Sequence, residues 1–380
     1  MPAPLDRLVR HGARRHVRHL APVAPGGAPP LVAGVYAQVE RDFGMLAPPV
    51  ALHAPAPETL AACWAMLRET LVVPGLLGRA AKEVVATVVS LGNACPYCVD
   101  VHGAMLHGLV GAADPLAVTG GRDGAVADPG HRALAAWARA AGTAKDAARH
   151  GLPFPPEWFP EQAGVLVTFE YLNRMVNVFL TGELVPRALP ETLRAGLTRL
   201  AGRAMRPVAL RKAAPGDSLA LLPAAPLPAD LSWAAPSPAI AGALARASAA
   251  IEEAGRRSVP AGVRRLVLAE LETWNGERRG PSRAWVNEAV SGLPAAERPA
   301  GRLALLTAFA SYQVGAAVIE ELRRHGAGDR ALVETAAWAS LAAARRVARW
   351  TWRPGPPIGP GRDPRREPGR TCRQSHMSST

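Results

Sequence analysis

Apolar residues recur every three to four positions along nearly the whole chain, and strand-like alternation of apolar and polar residues is scarce. This period matches the turn of an α-helix, so each such segment presents one apolar stripe to a core. The pattern predicts an all-α protein built as a helical bundle. The helices are expected at 58–70, 79–91, 96–110, 131–142, 161–181, 189–204, 237–255, 260–271, 281–290, 297–325 and 329–350.

The chain is long enough for two domains. It has 380 residues, 49% of them hydrophobic, so each half can bury a core of its own. The stretch 213–238 is rich in proline, alanine and leucine with few charges, which is typical of a linker. We expect domains at 36–212 and 239–351, a flexible N-terminal segment at 1–35, and a disordered Pro/Gly/Arg-rich tail at 352–380.

The two expected domains show a faint internal likeness. A shift of 215 residues without a gap gives nine identities over positions 80–118, among them Leu91 with Leu306 and Tyr97 with Tyr312. Chance would give roughly three or four in so alanine-rich a chain. The pattern favours two tandem repeats, of which the second has lost the chemical groups described below. In their place it has Arg298, Ala310, Gln313 and Ala317.

The net charge of +13 does not by itself indicate a nucleic-acid-binding protein. Residues 1–20 and 351–380 each carry a net charge of +4, which leaves a modest +5 for the long body between them. No basic stripe is interleaved with aromatic residues, as a nucleic-acid groove requires. We therefore expect no nucleic-acid partner.

Neither a secretory signal nor a membrane span is expected. The arginine-rich start runs into a Pro/Gly stretch without an apolar region, and the longest apolar stretch, 303–319, is interrupted by polar residues. Four cysteines in a chain of this size do not make a disulfide framework. We expect a cytoplasmic protein without membrane contact, in which a close cysteine pair indicates redox chemistry or a metal site.

One segment, 82–102, carries the chemical groups. Pro96 predicts a helix start, so Cys95 and Cys98 lie in or beside the first turn of that helix. Free backbone N–H groups and the positive end of the helix dipole favour a thiolate there. His102 follows Cys98 by four residues and therefore lies on the same helix face. Glu83, one helix earlier, could orient or deprotonate His102.

A thiolate in this setting would be a nucleophile in peroxide reduction or disulfide exchange, and a second thiol three residues away can trap a sulfenic acid. Other interpretations remain open. Structural zinc would need further ligands from Cys63, His107 or Cys372, although Cys63 lies in an apolar run typical of a core. The two cysteines could also be inert and buried. A thioredoxin-like site would need flanking strands that the sequence lacks.

The spacing Glu83-x11-Cys95-x-x-Cys98-x-x-x-His102 resembles the signature of the carboxymuconolactone decarboxylase/AhpD-like alkylhydroperoxidase family. The similarity extends from residues 40–44 through 82–86 to 172–175. The resemblance implies an AhpD-like helical bundle, with an AhpD-like domain at 36–212 and a degenerate AhpD-like repeat at 239–351. It also implies a dithiol that reduces peroxides or exchanges disulfides. We expect neither a cofactor nor a metal.

The resemblance also implies roles for the four residues. Cys98 would be the attacking thiol and Cys95 the resolving thiol, while His102 and Glu83 would form a proton relay through a water. An alkyl hydroperoxide would be reduced, the Cys95–Cys98 disulfide would close, and an external dithiol, in relatives a lipoylated protein, would reopen it. Relatives are homo-oligomers, so we expect one here. The competing hypothesis is a non-enzymatic protein that senses redox state or holds zinc and binds a partner.

The residue between the two cysteines differs from that of some relatives. Some relatives have a histidine between the two cysteines where this chain has Tyr97, a poorer proton shuttle at neutral pH, so the peroxidase activity is expected to be weaker. True decarboxylases of the family lack the cysteine pair, so decarboxylation is not expected.

A polar cluster within 161–181 is interpreted as capping neighbouring helices, with lining of the active site as the alternative. Its members are Glu170, Tyr171, Asn173 and Arg174.

Overall fold

The computed structural model of the chain describes residues 16–111, 113–181 and 188–352. Within these ranges the regular structure is helical, and extended backbone pairs only at one bridge, between Val17 and Leu180. The prediction of an all-α protein is therefore confirmed. Residues 1–15 of the expected N-terminal segment, and the expected tail beyond Trp352, lie outside the described residues.

The α-helices are numbered in chain order. They are α1 (Pro30–Phe43), α2 (Pro48–Ala51), α3 (Pro57–Leu67), α4 (Arg79–Gly92), α5 (Pro96–Val110), α6 (Asp114–Thr119), α7 (Pro129–Ala140), α8 (Ala144–Arg149), α9 (Phe159–Phe179), α10 (Glu191–Ala209), α11 (Pro238–Ser258), α12 (Ala261–Thr273), α13 (Ala284–Ala289), α14 (Arg298–Ala310), α15 (Ala316–Arg324) and α16 (Asp329–Thr351).

Each helix expected from the sequence is present within a few residues of its predicted ends, with one exception. The helix predicted over 297–325 is broken into α14 and α15 by the 3-10 turn Ser311–Gln313. The break is stabilised from a distant loop, because Gln313 Nε2 donates to Gly280 O at 2.8 Å and Arg283 donates to Gln313 O. The structure also adds α1, which starts at Pro30 inside the segment expected to be flexible.

The two expected domains share one core. α3 packs along α11, and α9 packs along α16, so both long contacts join one half of the chain to the other. Gly164 lets α9 also approach α11, because a Cβ there would lie 2.9 Å from Thr70 and 3.3 Å from Ile240 of α11. One continuous apolar cluster contains buried side chains of both halves. The division into two tandem repeats stays a prediction.

The segment 213–238, expected as a linker, packs against both halves. It contains two 3-10 turns, Leu219–Leu221 and Ala229–Ala234, and buries Trp233. Ser218 Oγ donates to Glu69 Oε1 at 2.6 Å. The first turn contacts α1, α3 and α11, and the second contacts α9, α11 and α16. In the described part of the chain, none of the helices combines the length and apolar character that crossing a membrane requires.

Candidate active site

The cysteine segment forms the turn of the α4–α5 hairpin. Cys95 is the residue that precedes α5, and Pro96 is the first residue of that helix. Ala94 has a left-handed backbone with φ of 50°, which costs about 1 kcal/mol or more for a residue with a Cβ. Cys95 N–H donates to Ser90 O at 3.0 Å and helps to hold the turn. The predicted place of Cys95 and Cys98 at a helix start is therefore confirmed.

Both thiols are free and buried, each with 1% of its surface exposed. Cys98 is hydrogen-bonded to Cys95 and to the side chain of Asn173 from α9. Burial raises the pKa of the Cys98 thiol well above its ordinary value and the bond to Cys95 adds to this, whereas Asn173 lowers it. The helix start predicted the opposite direction. Desolvation is the largest cause of this shift, and it disfavours the thiolate.

His102 is held by Glu83 across the hairpin, as expected. Its Nδ1–H donates to Glu83 Oε2 at 2.7 Å, and Arg79 Nε donates to Glu83 Oε1 at 2.6 Å. Burial alone would raise the pKa of Glu83, but the charge of Arg79 and the hydrogen bond from His102 hold it below its usual value. Because Nδ1 carries this proton, Nε2 of the neutral ring is an acceptor. The edge-to-face ring of Phe169, with centroids 4.5 Å apart, fixes the imidazole plane.

Arg79 was missed by the sequence reasoning. It lies four residues before Glu83 on α4, a spacing at which opposite charges pair on one helix face. That spacing is the signal that could have found it. Its role is to keep the fully buried Glu83 ionised, so that a carboxylate and not a carboxylic acid faces His102.

Cys98 and His102 line one small, apolar cavity of about 120 Å³. Most of its wall is aliphatic or aromatic, and Tyr97 also contributes. The wall includes Leu67, the last residue of α3, and Leu71, which lies in the π-helical turn that extends α3. Such turns are frequent at functional sites. The cavity suits an apolar molecule that brings one reactive polar group to the thiol.

Cys95 does not line the cavity that contains Cys98 and His102. It lines an open groove of about 770 Å³ between α5, α6 and α10, which does not include Cys98 or His102. The side chains of Arg122 and Arg194 line the same groove, and Arg194 Nε is buried there without a hydrogen-bond partner in the described residues. The two thiols therefore touch each other while each contacts its own cavity.

The polar cluster of α9 separates into three parts. Asn173 contacts Cys98 and also donates to Ser90 Oγ at 3.0 Å, so it belongs to the site. Tyr171 pairs with the buried His53 Nε2 at 2.8 Å, away from the dithiol. Glu170 and Arg174 form an ion pair that lines a third cavity, next to the second half.

Metal ligands are not gathered in the part of the chain that the structure describes. No group of three or more His, Cys, Asp or Glu side chains there could hold a metal ion. Cys63 is buried in the apolar core, where burial raises its pKa, and His107 Nδ1 lies 3.0 Å from Gly111 O. Cys372 lies outside the described residues. The zinc interpretation thus has no ligand set among the residues described.

Comparison with known proteins gives one informative relative. No family model matches the chain. The chain is 37% identical over 339 residues to the curated protein named alkyl hydroperoxide reductase Rv2159c of Mycobacterium tuberculosis (strain ATCC 25618 / H37Rv). The match spans 88% of this chain and 95% of that protein, so it includes both halves. With this identity, the all-α fold and the paired cysteines, the chain belongs to the AhpD-like alkylhydroperoxidase family and is an enzyme of that family.

Proposed function

We propose that this enzyme reduces organic hydroperoxides through a Cys95–Cys98 redox pair, with His102 and Glu83 as its proton relay. The observation that carries the proposal is that Cys98 and His102 line one apolar cavity while Glu83 holds His102 from behind. The name of the relative, alkyl hydroperoxide reductase, supports a peroxide substrate. The apolar wall favours an alkyl or aryl hydroperoxide over hydrogen peroxide.

Cys98 is the attacking thiol because it shares its cavity with the acceptor nitrogen of His102. No direct hydrogen bond joins Cys98 and His102 in the described structure, so the proton passes through a water or the peroxide itself. Glu83 stabilises the imidazolium that forms, since its carboxylate already accepts the Nδ1 proton. Because burial raises the pKa of the Cys98 thiol, its attack depends on a base, and His102 in the same cavity supplies one.

The reaction then balances in three steps. The Cys98 thiolate attacks the terminal oxygen of the hydroperoxide, and the O–O bond breaks to give the Cys98 sulfenic acid and an alkoxide. The alkoxide takes the proton from His102 and leaves as an alcohol. Cys95, already in hydrogen-bond contact, attacks the Cys98 sulfenic acid, and water leaves as the disulfide forms. An external dithiol supplies two electrons and two protons to restore both thiols.

The external dithiol reaches Cys95 from the open groove. Cys95 has 1% of its surface exposed, so a thiol on a slender arm, such as a lipoyl group of a carrier protein, fits better than a cysteine on a globular surface. Attack at Cys95 expels Cys98 as the thiolate, which His102 can reprotonate. Arg122 and Arg194 in the groove favour an acidic carrier.

A homo-oligomer is also part of the proposal. Leu193, Leu197 and Leu200 lie at i, i+4 and i+7 on α10 and are 38% to 64% exposed, which gives that helix an outward apolar stripe. A second copy of the chain could cover it. Light scattering after gel filtration gives the mass: a dimer or larger assembly supports this part, and a monomer at micromolar concentration contradicts it.

The proposed chemistry is tested by counting free thiols before and after one equivalent of cumene hydroperoxide. Wild type should lose two thiols and regain them with dihydrolipoamide, whereas Cys98→Ser should lose none by disulfide formation. Cys63→Ala is the matched control, because Cys63 is equally buried but lies outside the site, and it should still lose two. An unchanged thiol count in wild type would overturn the proposal.

A further inference from the structure

A third cavity, of about 340 Å³, lies between the two halves of the chain. Its wall comes from the ends of α4 and α7, from α9, from loop 274–278, and from the turn that follows α14. It includes none of Cys95, Cys98, His102 or Glu83. Its volume is in the range of sites for small molecules. This cavity is therefore separate from the dithiol site.

The polar part of this wall is the buried ion pair of Glu170 and Arg174, 6% and 5% exposed. Arg174 donates through Nη1 to Glu170 and through Nε to Ala308 O at 3.0 Å. In the described residues, Arg174 Nη2 and Glu170 Oε1 have no protein partner, and neither is an enclosed buried atom. Because both residues line the cavity, the Nη2 group of Arg174, with its two N–H bonds, and the Oε1 acceptor of Glu170 are available to a ligand.

The apolar part of the wall is aromatic. Trp274 and Phe309 are nearly buried and meet edge to face, with centroids 5.4 Å apart. Trp274 is fixed further by its Nε1–H, which donates to Glu277 O at 2.9 Å. Gly276, with φ of 95°, lets this loop approach α7, since a Cβ would lie 2.1 Å from Gly142 O. The aromatic surface is thus held in place before any ligand arrives.

We propose that this cavity binds a small planar molecule that carries an N–H donor beside a carbonyl oxygen, as a primary aromatic amide does. The N–H would donate to Glu170, the carbonyl would accept from Arg174, and the ring would pack on Trp274 and Phe309. A neutral ligand suits the site because the charges of its wall are balanced: Glu170 pairs with Arg174, Arg139 pairs with Asp123, and Arg278 is offset by Glu277. The inference does not depend on the proposed peroxidase chemistry.

The test uses the full chain and three probes that share one ring: benzamide, benzoate and benzylamine. Calorimetry should give one benzamide site, with benzoate and benzylamine each weaker by about tenfold or more, because each can satisfy only one of the two open groups. No benzamide binding, or equal affinity for the three probes, would overturn the proposal. This ranking is measured in wild type and needs no variant.

Variants then locate the site. Ala310→Leu adds bulk to the cavity wall and should weaken benzamide binding by about tenfold or more. Trp285→Leu is the matched control, since Trp285 packs on Phe309 without lining the cavity, and it should bind like wild type. Equal binding by Ala310→Leu, with its helical circular dichroism intact, would place benzamide elsewhere and contradict the proposal. The thiol count with cumene hydroperoxide, run on the same samples, reports separately on the dithiol.

Discussion

The two helical hairpins that the 215-residue shift pairs, α4–α5 and α14–α15, break at different places. In the first, the chain leaves α4 before Cys95, so Cys95 and Cys98 begin a new helix. In the second, α14 continues through Ala310, the position paired with Cys95, and Gln313, paired with Cys98, lies in a 3-10 turn. The second hairpin therefore lacks the helix start that places the thiols, in addition to the thiols themselves.

The buried charges of the halves differ in the same way. Glu83 in the first half is buried between Arg79 and His102. Arg298, paired with it by the shift, instead donates to the carbonyl oxygens of Leu293 and Ser291 at 3.0 and 2.9 Å. The second half keeps its own buried carboxylate elsewhere, at Glu334. At the position paired with Glu83, the second half thus has a side chain that caps local carbonyl groups in place of a buried carboxylate.

The largest expected effect comes from moving the thiols. Cys95→Ser with Cys98→Ser should lower peroxidase activity by about a thousandfold or more. Adding Ala310→Cys and Gln313→Cys to that variant should not restore it, because the second hairpin supplies neither a helix start nor a paired histidine. Peroxide consumption coupled to dihydrolipoamide oxidation measures both. Recovery of activity would show that the hairpins are equivalent and would contradict the difference between them.

Two buried carboxylates allow a matched test of the relay. Glu83→Gln should lower peroxidase activity by about a hundredfold or more, since His102 loses the group that orients it. Glu334→Gln should leave activity within about twofold of wild type. Glu83→Gln should lower the free energy of unfolding by about 3 kcal/mol, because it leaves the nearly buried Arg79 without its carboxylate. Glu334→Gln should cost less, about 1 kcal/mol, because Arg257 and Arg330 are 40% and 46% exposed and water screens their charges. Equal activity losses in the two variants would assign Glu83 a purely structural role.

The buried carboxylates of Glu83 and Glu334 predict a pH dependence of the free energy of unfolding. The pKa of Glu83 and of Glu334 lies below its usual value in the folded state, despite burial, because of neighbouring positive charges. Each carboxylate therefore stabilises the fold above the unfolded pKa, about 4.5, and this is lost as pH falls through the lower folded value. Urea unfolding from pH 7 to pH 3 should show each Gln variant approaching wild type at the acid end. A constant difference would refute this.

Tyrosines at paired positions give a smaller contrast. Tyr97→His places a group that titrates near neutral pH between the two thiols, and should raise peroxidase activity by about threefold to tenfold. Tyr312→His, at the position that the shift pairs with Tyr97, should leave activity unchanged. Initial rates at pH 7 decide this. A decrease in Tyr97→His would mean that the buried tyrosine supports the cavity wall more than it limits proton transfer.

The smallest expected effect concerns a contact between the halves. Arg278 Nη2 donates to Leu91 O and Gly92 O at 3.2 and 2.8 Å, and so caps the end of α4 from the second half. Because Arg278 is exposed, Arg278→Ala should cost about 1 kcal/mol of unfolding free energy or less. Arg256→Ala, which removes only an exposed pair with Glu253, should cost less still. Urea midpoints of the two variants make the comparison.

The sequence predicted what depends on local pattern. Periodicity placed the helices, Pro96 placed the start of α5, and the expected pairing of two successive helices brought Glu83 to His102. The pKa of Cys98 was predicted in the wrong direction because burial depends on α9 and the rest of the packed fold. The break after α14 was missed because its partners, Gly280 and Arg283, are about thirty residues away.

One side chain joins the turns of both hairpins. Asn177 Nδ2 donates to Asn93 O and to Ser311 Oγ, each at 3.0 Å. Local opening of the cysteine turn must therefore also release the second half, so the two turns are expected to belong to one cooperative unit. In hydrogen–deuterium exchange, the amides of Cys95 and Val99 would then exchange only through the unfolding that also exposes α14. The thiols would then react with peroxide in a segment that does not open independently of the second half.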